Sequence, residues 1–301
     1  MRLAVAASPE VAIPTLEALL DSKFSLVRVF SQPDRPSGRG KVITPTAVST
    51  WALDREIELI RPNSIEEMAA NLLDIDCVLT IGYGVLLPTQ ILEIPRYGFL
   101  NLHFSLLPRW RGAAPVQRAI EAGDSLTGVT VFQLDEGMDT GPIYTMHRFA
   151  LDPDITSDEL LAELADLGVI ASLEALQMVE DGKRPTAQTS QGATHARKLT
   201  REEGRIDWNL SAELVGSKIR AFTSNPGAWS IFRELPIKIA SPVVSEVKLN
   251  PGEIALINRQ VFIGTTTTAL QIGSITTAGK APTLAQSWAN GMRLLPGEKC
   301  E

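Results

Sequence analysis

Hydrophobic positions in the first half of the chain follow two alternating patterns. Residues 3–7, 24–30, 77–81, 98–103 and 128–134 are short runs dominated by apolar residues. Runs of this kind predict strands of a sheet, and the continuous one at 77–81 predicts a strand covered on both faces. Between them, apolar residues recur three and four apart, as at Val11, Ile13, Leu16, Leu19 and Leu20. That spacing predicts a helix over 9–20, and comparable segments predict helices over 45–55, 65–73 and 114–122. The alternation implies an α/β unit built on a Rossmann-like, mostly parallel sheet with helices on both sides.

The pattern changes after a helical stretch at 156–181. Residues 182–192 are polar and turn-rich, the composition of a connection. Beyond about residue 206, a helix near 212–222 precedes short runs at 229–232, 236–240, 260–263 and 269–272, separated by Pro, Gly and Asn. Short strands so punctuated predict a small C-terminal β-barrel of the OB-like kind. The expected organisation is an α/β domain over 1–187, a linker over 188–205 and a barrel domain over 206–301.

Composition narrows the class. The 301 residues are 44% hydrophobic and 21% charged, which suits packed globular domains, and the length suits two. No run approaches the roughly 18 apolar residues of a membrane span. The apolar start at 3–7 is cut by Ser8-Pro9-Glu10, too early for a signal peptide, so a cytoplasmic protein is expected. Cys77 and Cys300 lie far apart, and His103, His147 and His195 do not cluster. Neither a disulfide framework nor a zinc site is expected.

Charge is unevenly spread. The net charge of −7 argues against bulk attraction to nucleic acid. Residues 1–190, however, hold 15 Lys and Arg against 26 Asp and Glu, whereas residues 191–301 hold 13 against 9. A basic excess at one end is expected where that part touches a polyanion. Ordinary scatter between two domains is the other reading.

Two phosphate-binding motifs are absent. The turn after the first strand, Ala7-Ser8-Pro9-Glu10, lacks the glycines that cradle a pyrophosphate. The segment Gly38-Arg39-Gly40-Lys41-Val42 fails as a P-loop, because position 35 is Arg and Val42 replaces the magnesium-binding hydroxyl.

Candidate chemistry gathers elsewhere. Asn101 and His103 stand two apart on a predicted strand, so their side chains share a face. Pro95 and Gly98 before them and Leu107-Pro108 after place the pair near the strand's C-terminal end, where open α/β sheets bind ligands. Alone, the pair also suits a strand-end turn and a histidine satisfied by backbone. The following loop brings Arg109-Trp110-Arg111-Gly112-Ala113-Ala114-Pro115, and a later strand ends in the acidic loop Asp135-Glu136-Gly137-Met138-Asp139-Thr140-Gly141. Loops at one sheet edge commonly carry function, and one of these acids can meet His103.

Together, Asn101 and His103, then Ser105-Leu106-Leu107-Pro108, then Asp139 in its glycine-punctuated loop resemble the pattern of the formyltetrahydrofolate-dependent formyltransferases. The stretch 109–115 resembles the branch of that family that formylates methionyl-tRNA. So do Gln32-Pro33-Asp34-Arg35-Pro36 with Gly38-Arg39-Gly40-Lys41, Gly82-Tyr83-Gly84 with Leu87-Pro88, Arg205-Ile206-Asp207-Trp208, and Pro226-Gly227-Ala228-Trp229. Ala278-Gly279-Lys280 is a weaker echo. Two departures are Phe104, where a small residue or proline is usual, and Ala7-Ser8-Pro9-Glu10-Val11 after the first strand.

The resemblance implies transfer of a formyl group from 10-formyltetrahydrofolate to the α-amine of methionyl-initiator tRNA, with no metal. It implies Asn101 as an oxyanion donor, His103 as a proton shuttle or second donor, and Asp139 orienting His103 and raising its pKa. The folate cleft is expected to be walled by Leu86, Leu87, Ser105, Leu106, Leu107, Pro108, Asp135 and Gly137. The tRNA is expected to meet Arg35, Arg39 and Lys41 in the 31–44 loop, and Arg197, Lys198, Arg201 and Arg205, with Lys218 and Arg220 nearby. A monomer is the family expectation. Formyltransferases acting on glycinamide ribonucleotide or on amino sugar nucleotides are rival readings. A non-catalytic RNA-binding module would explain the charge asymmetry but not Asn101, His103 and Asp139 together.

Overall fold

The computed structural model describes residues 1–37 and 42–301. Contacts divide the chain into two units, Met1–Pro115 with Leu126–Ala150 and Leu161–Ala196, and Val116–Ser125 with Leu151–Leu160 and Arg197–Glu301.

In the first unit the strands are β1 (Arg2–Ala7), β2 (Ser25–Phe30), β3 (Arg35–Ser37), β4 (Val42–Thr44), β5 (Leu59–Ile60), β6 (Cys77–Ile81), β7 (Phe99–His103), β8 (Arg111–Gly112), β9 (Leu126–Gln133), β10 (Ile143–Ala150) and β11 (His195–Ala196). Seven of them make one sheet in the order β10-β9-β7-β6-β1-β2-β5. From β5 to β7 all pairings are parallel, and β9 runs antiparallel to both its neighbours. Every residue of β6 is buried, as its unbroken apolar run predicts. The chain leaves β1 toward β2 on one side and returns to β6 on the other, so strand order reverses beside β1. Ligand clefts of open α/β sheets lie at such reversals, at the carboxyl ends of the strands.

Helices begin where polar caps satisfy their first N–H groups. The Thr46 hydroxyl accepts from Ser49 N before Ala47–Asp54, and the Ser64 hydroxyl accepts from Glu67 N before Ile65–Ala70. The second of these stops short of the predicted 73, where the Asn71 side chain turns back to donate to the Glu67 carbonyl. The predicted helix over 9–20 opens as a 3-10 turn, Glu10–Ala12, before Ile13–Leu20. A core of Ala4, Phe30, Leu72, Val78, Phe99 and neighbours lies on one sheet face.

The second unit carries helices Ala212–Ala221 and Ala285–Met292 and the strands β12 (Trp229–Phe232), β13 (Leu235–Val244), β14 (Ile254–Ile257), β15 (Gln260–Gly264), β16 (Ala269–Thr277) and β17 (Thr283–Leu284). They form an antiparallel sheet ordered β12-β13-β16-β15-β14, with β17 on β16. Residues 298–301 bridge its two edges. Glu301 exchanges both backbone hydrogen bonds with Ile231 of β12, while Cys300 N donates to Gly252 O and Ile254 N donates to Glu298 O beside β14. The expected smaller β domain is therefore a curled half-barrel closed by a short terminal segment.

Residues 188–196 are not a free linker. Ala113 and Ala114 N–H groups donate to the Ala196 carbonyl, Trp110 N donates to the Thr194 hydroxyl, and β11 pairs in parallel with β8. These bonds anchor the segment to the 108–114 loop, while residues 189–192 and His195 are exposed to water. Among the described residues no helix is long and apolar enough to cross a membrane.

Candidate active site

Asn101 and His103 leave the same face of β7, as period two requires, and both line a cavity of about 470 Å³. Thr80 of β6, the 82–87 turn, Phe104, Gly112, Ala113 and the loop from Leu134 to Asp139 complete its wall. Thr80 pairs with Asn101 across the two parallel strands. Its buried hydroxyl lies 2.9 Å from Asn101 Oδ1 as donor, with the Leu100 carbonyl as a second acceptor at 3.0 Å. The amide oxygen of Asn101 is thereby engaged, and its Nδ2 hydrogens are left for the cavity.

His103 is buried, and its Nε2 lies 2.8 Å from the carbonyl oxygen of Trp110. A carbonyl only accepts, so Nε2 carries the hydrogen and Nδ1 is the basic nitrogen of the neutral ring. Nδ1 faces Asp139 Oδ2 at 3.7 Å. The same carboxylate oxygen accepts from Gly112 N at 2.6 Å. Two left-handed residues supply this geometry, Trp110 with φ +62° and Asp139 with φ +54°. Gly112 has φ +114°, and a Cβ there would lie 2.8 Å from the Ala196 carbonyl. Glycine alone lets its N–H approach the carboxylate.

Asp139 pulls the His103 pKa upward, as expected, but it does not set the net direction. Burial outweighs the carboxylate, and His103 is held below the ordinary 6.5, with Asp139 and the Trp110 hydrogen bond pulling the other way. The ring is thus kept neutral and able to accept a proton.

The expected folate residues separate into two groups. Leu86, Leu87, Asp135 and Gly137 line the cavity, together with Tyr83, Val85, Leu92 and Met138. Ser105, Leu106, Leu107 and Pro108 do not. Ser105 is fully buried and donates to Arg109 O, and Thr130 ties the turn by donating to Ser105 O and accepting from Leu107 N. Leu106 lies against Gly128, where a Cβ would meet it at 2.7 Å. That motif shapes the loop from behind rather than walling the cleft. Phe104, the departure from the family pattern, contributes a buried wall of the cavity. Sequence reading missed Thr80, although a single hydroxyl inside an apolar run is a usable signal, and it missed Gln188, which carries no such signal.

Of the basic positions, Arg35, Arg197, Lys198, Arg201 and Arg205 are exposed. The guanidinium groups of Arg201 and Arg205 sit 6.0 and 5.8 Å from the Trp229 ring. Arg39 and Lys41 lie outside the described residues. Lys218 and Arg220 are a correction. Lys218 Nζ is spent on Glu121 at 2.7 Å, and Arg220 is buried against Ser217, with its pKa pushed down by desolvation. Neither presents a free charge to a phosphate.

The family described as formyl transferase matches residues 1–176, and the formyl transferase C-terminal domain matches residues 198–293. A methionyl-tRNA formyltransferase of Salinispora arenicola is 41% identical over 307 residues, covering 99% of both chains. The chain belongs to the methionyl-tRNA formyltransferase family. Another relative in this family, from Thermobifida fusca, is 40% identical over 308 residues, with 99% of each chain covered. The fold recurs in a solved methionyl-tRNA formyltransferase of Clostridium thermocellum (TM-score 0.58, 17% identity, 82% of this chain and 95% of that one). It recurs also in an N-formyltransferase of Helicobacter canadensis crystallised with folinic acid and dTDP-3-aminofucose (TM-score 0.69, 18% identity, 90% and 97% covered). Among the described residues, no group of three or more His, Cys, Asp or Glu side chains could hold a metal ion.

Proposed function

We propose that the protein moves a formyl group from 10-formyltetrahydrofolate to the α-amine of methionyl-initiator tRNA. The observation that carries the reading is the Asn101, His103 and Asp139 constellation at one cavity, in a chain of this family. The cavity fits a folate in size and chemistry. Leu86, Leu87, Leu92, Phe104 and Met138 offer apolar surface, while the backbone of the 82–84 and 135–139 turns offers groups for the edge of a flat heterocycle. The folate, when bound, supplies the formyl group on its N10.

Asn101 Nδ2 donates to the formyl oxygen as negative charge builds there, which stabilises the transition state more than the ground state. His103 Nδ1 receives the proton that the attacking amine must lose and returns it to N10 as the formyl–N10 bond breaks, so that the folate leaves as a neutral amine. Asp139 then faces a developing imidazolium across 3.7 Å, so its charge is most useful as the proton arrives. Gly112 N and the Trp110 carbonyl fix the carboxylate and the ring before substrate enters. The α-amine titrates near ~8 as a free group, and the neighbouring ester lowers this, so much of the nucleophile is neutral at physiological pH.

The acceptor side rests on the exposed Arg197, Lys198, Arg201 and Arg205, on Arg35, and on Arg39 and Lys41, four and six positions after Arg35 in the sequence. These charges suit phosphate contacts, which position an RNA without reading its sequence. One assay separates the rival acceptors. Incubation with 10-formyltetrahydrofolate and methionyl-tRNA, glycinamide ribonucleotide or an amino sugar nucleotide should leave the formyl group on the tRNA alone. Formyl transfer to either small acceptor in preference to the tRNA overturns the reading.

A further inference from the structure

Gln188 lies in none of the motifs that mark the site, and it does not line the cavity. Yet its amide uses its full hydrogen-bonding capacity on the site's frame. Nε2 donates to the carbonyl oxygens of Asp139 and Gly141 at 3.0 and 2.9 Å. Oε1 accepts from Nη2 and Nε of Arg111 at 2.6 and 3.3 Å. Arg111 in turn sits on β8, paired with His195 of β11, and the next residue, Gly112, donates to the Asp139 carboxylate.

Asp139 therefore receives hydrogen bonds at both ends. Gln188 takes its main-chain carbonyl, and Gly112 takes its side chain. This matters because Asp139 holds the left-handed φ of +54°, which costs a residue with a Cβ about 1 kcal/mol or more. Within the loop the Asp135 carboxylate accepts from Gly137 N and Thr140 Oγ1, and Gln188 holds Asp139 from outside it. Relaxation toward ordinary φ would turn the Asp139 carbonyl off Gln188 and carry the carboxylate away from Gly112 N and His103 Nδ1.

We propose that Gln188 is a positioning residue for the reaction, holding the Asp139 loop in the left-handed turn that keeps the carboxylate on Gly112 and opposite His103. It acts through Asp139 and rests on the role given to Asp139 above. The side chain touches neither donor nor acceptor, so its loss slows turnover without weakening substrate binding.

The test uses the full-length protein and four variants: Gln188→Glu, Gln188→Met, Asp139→Ala and the double variant Asp139→Ala/Gln188→Glu. Gln188→Glu keeps the side-chain length and the acceptor for Arg111 but loses both donors. Gln188→Met loses donors and acceptor alike, and either variant alone suffices if the other fails to fold. The readouts are kcat, and KM for 10-formyltetrahydrofolate and for methionyl-tRNA. Each foldable Gln188 variant should lose about ten- to a hundredfold in kcat, the cost of misplacing a reacting group, with both KM values within about threefold. Added to Asp139→Ala, Gln188→Glu should cost nothing further, because the group it positions is gone. A Gln188→Glu enzyme with kcat within about twofold of the parent overturns the proposal. So does a raised KM at unchanged kcat, or losses that multiply in the double variant. If Asp139→Ala itself turns over normally, the fault lies with the role assigned to Asp139. If Asp139→Ala is slow and Gln188→Glu is not, only the positioning role falls.

Discussion

The carbonyl oxygen of Trp110 lies 2.8 Å from Nε2 of His103, and this one backbone atom decides which nitrogen of the ring can take a proton. Because the acceptor belongs to the main chain, no side-chain substitution at 110 removes it directly. Substitutions that release Trp110 from its left-handed φ of +62° do so indirectly.

The His103 titration gives a direct check. Burial disfavours its charged form, and the Asp139 carboxylate favours it without prevailing. Followed by NMR in the substrate-free protein, His103 should titrate below 6.5. Asp139→Asn removes the favourable charge, so the midpoint should fall further. A group whose folded pKa lies below its unfolded value stabilises the fold above the unfolded value, and loses that contribution as pH falls through the folded one. A midpoint above 6.5 in the parent protein would refute the burial argument.

Asn101→Ala should fold normally and lose about 10²–10³ in kcat, the loss typical of one oxyanion donor. Thr80→Val leaves Asn101 in place but removes the hydroxyl that engages its oxygen. About tenfold in kcat should go with that hydrogen bond, and Thr80→Ser should restore most of it. Steady-state kinetics of the three variants test the orientation of the amide.

At Gly112, alanine meets two obstacles, a φ of +114° and the Ala196 carbonyl 2.8 Å from the added Cβ. Gly112→Ala should destabilise the protein by about 1–3 kcal/mol in denaturant titration and should also slow turnover, because the N–H on Asp139 must move. An alanine variant of parental stability and rate would mean that the 111–114 turn has room to shift.

Cys77 and Cys300 should resist alkylation in the native state. Burial pushes both thiols up to about 12, so little thiolate exists at pH 8. Iodoacetamide should label neither until denaturant is added, as mass spectrometry would report.

Much of this architecture is legible along the chain, and the reasons for the rest are physical. The five-residue run of β6 announces a buried parallel strand because both faces need apolar side chains. The spacing of Asn101 and His103 announces a shared face because strands have period two. β10 escapes notice because its side chains are mostly half-exposed or exposed, with only Thr145 buried, so no strong alternation marks it. The helix Ala285–Met292 escapes because its buried positions, Ala285, Trp288 and Ala289, include only one large apolar residue. The 105–108 motif signals the family but not its own position, since Thr130, 23 and 25 residues beyond its two partners in that turn, pulls it into the interior. Gln188 lies beyond such reading altogether. It meets the Asp139 carbonyl across 49 residues of sequence, and the antiparallel bridge between Thr186 and Ile143 closes that distance.

The four residues 298–301 make the small domain dependent on a latch. Their backbone bonds occupy the amide and carbonyl of Ile231 on β12, and the Gly252 carbonyl and Ile254 amide at β14, the kinds of group that an unprotected sheet rim presents to other chains. Proteolytic trimming of this segment would unmask two sticky borders at once, and the damage would show first as self-association rather than as lost chemistry.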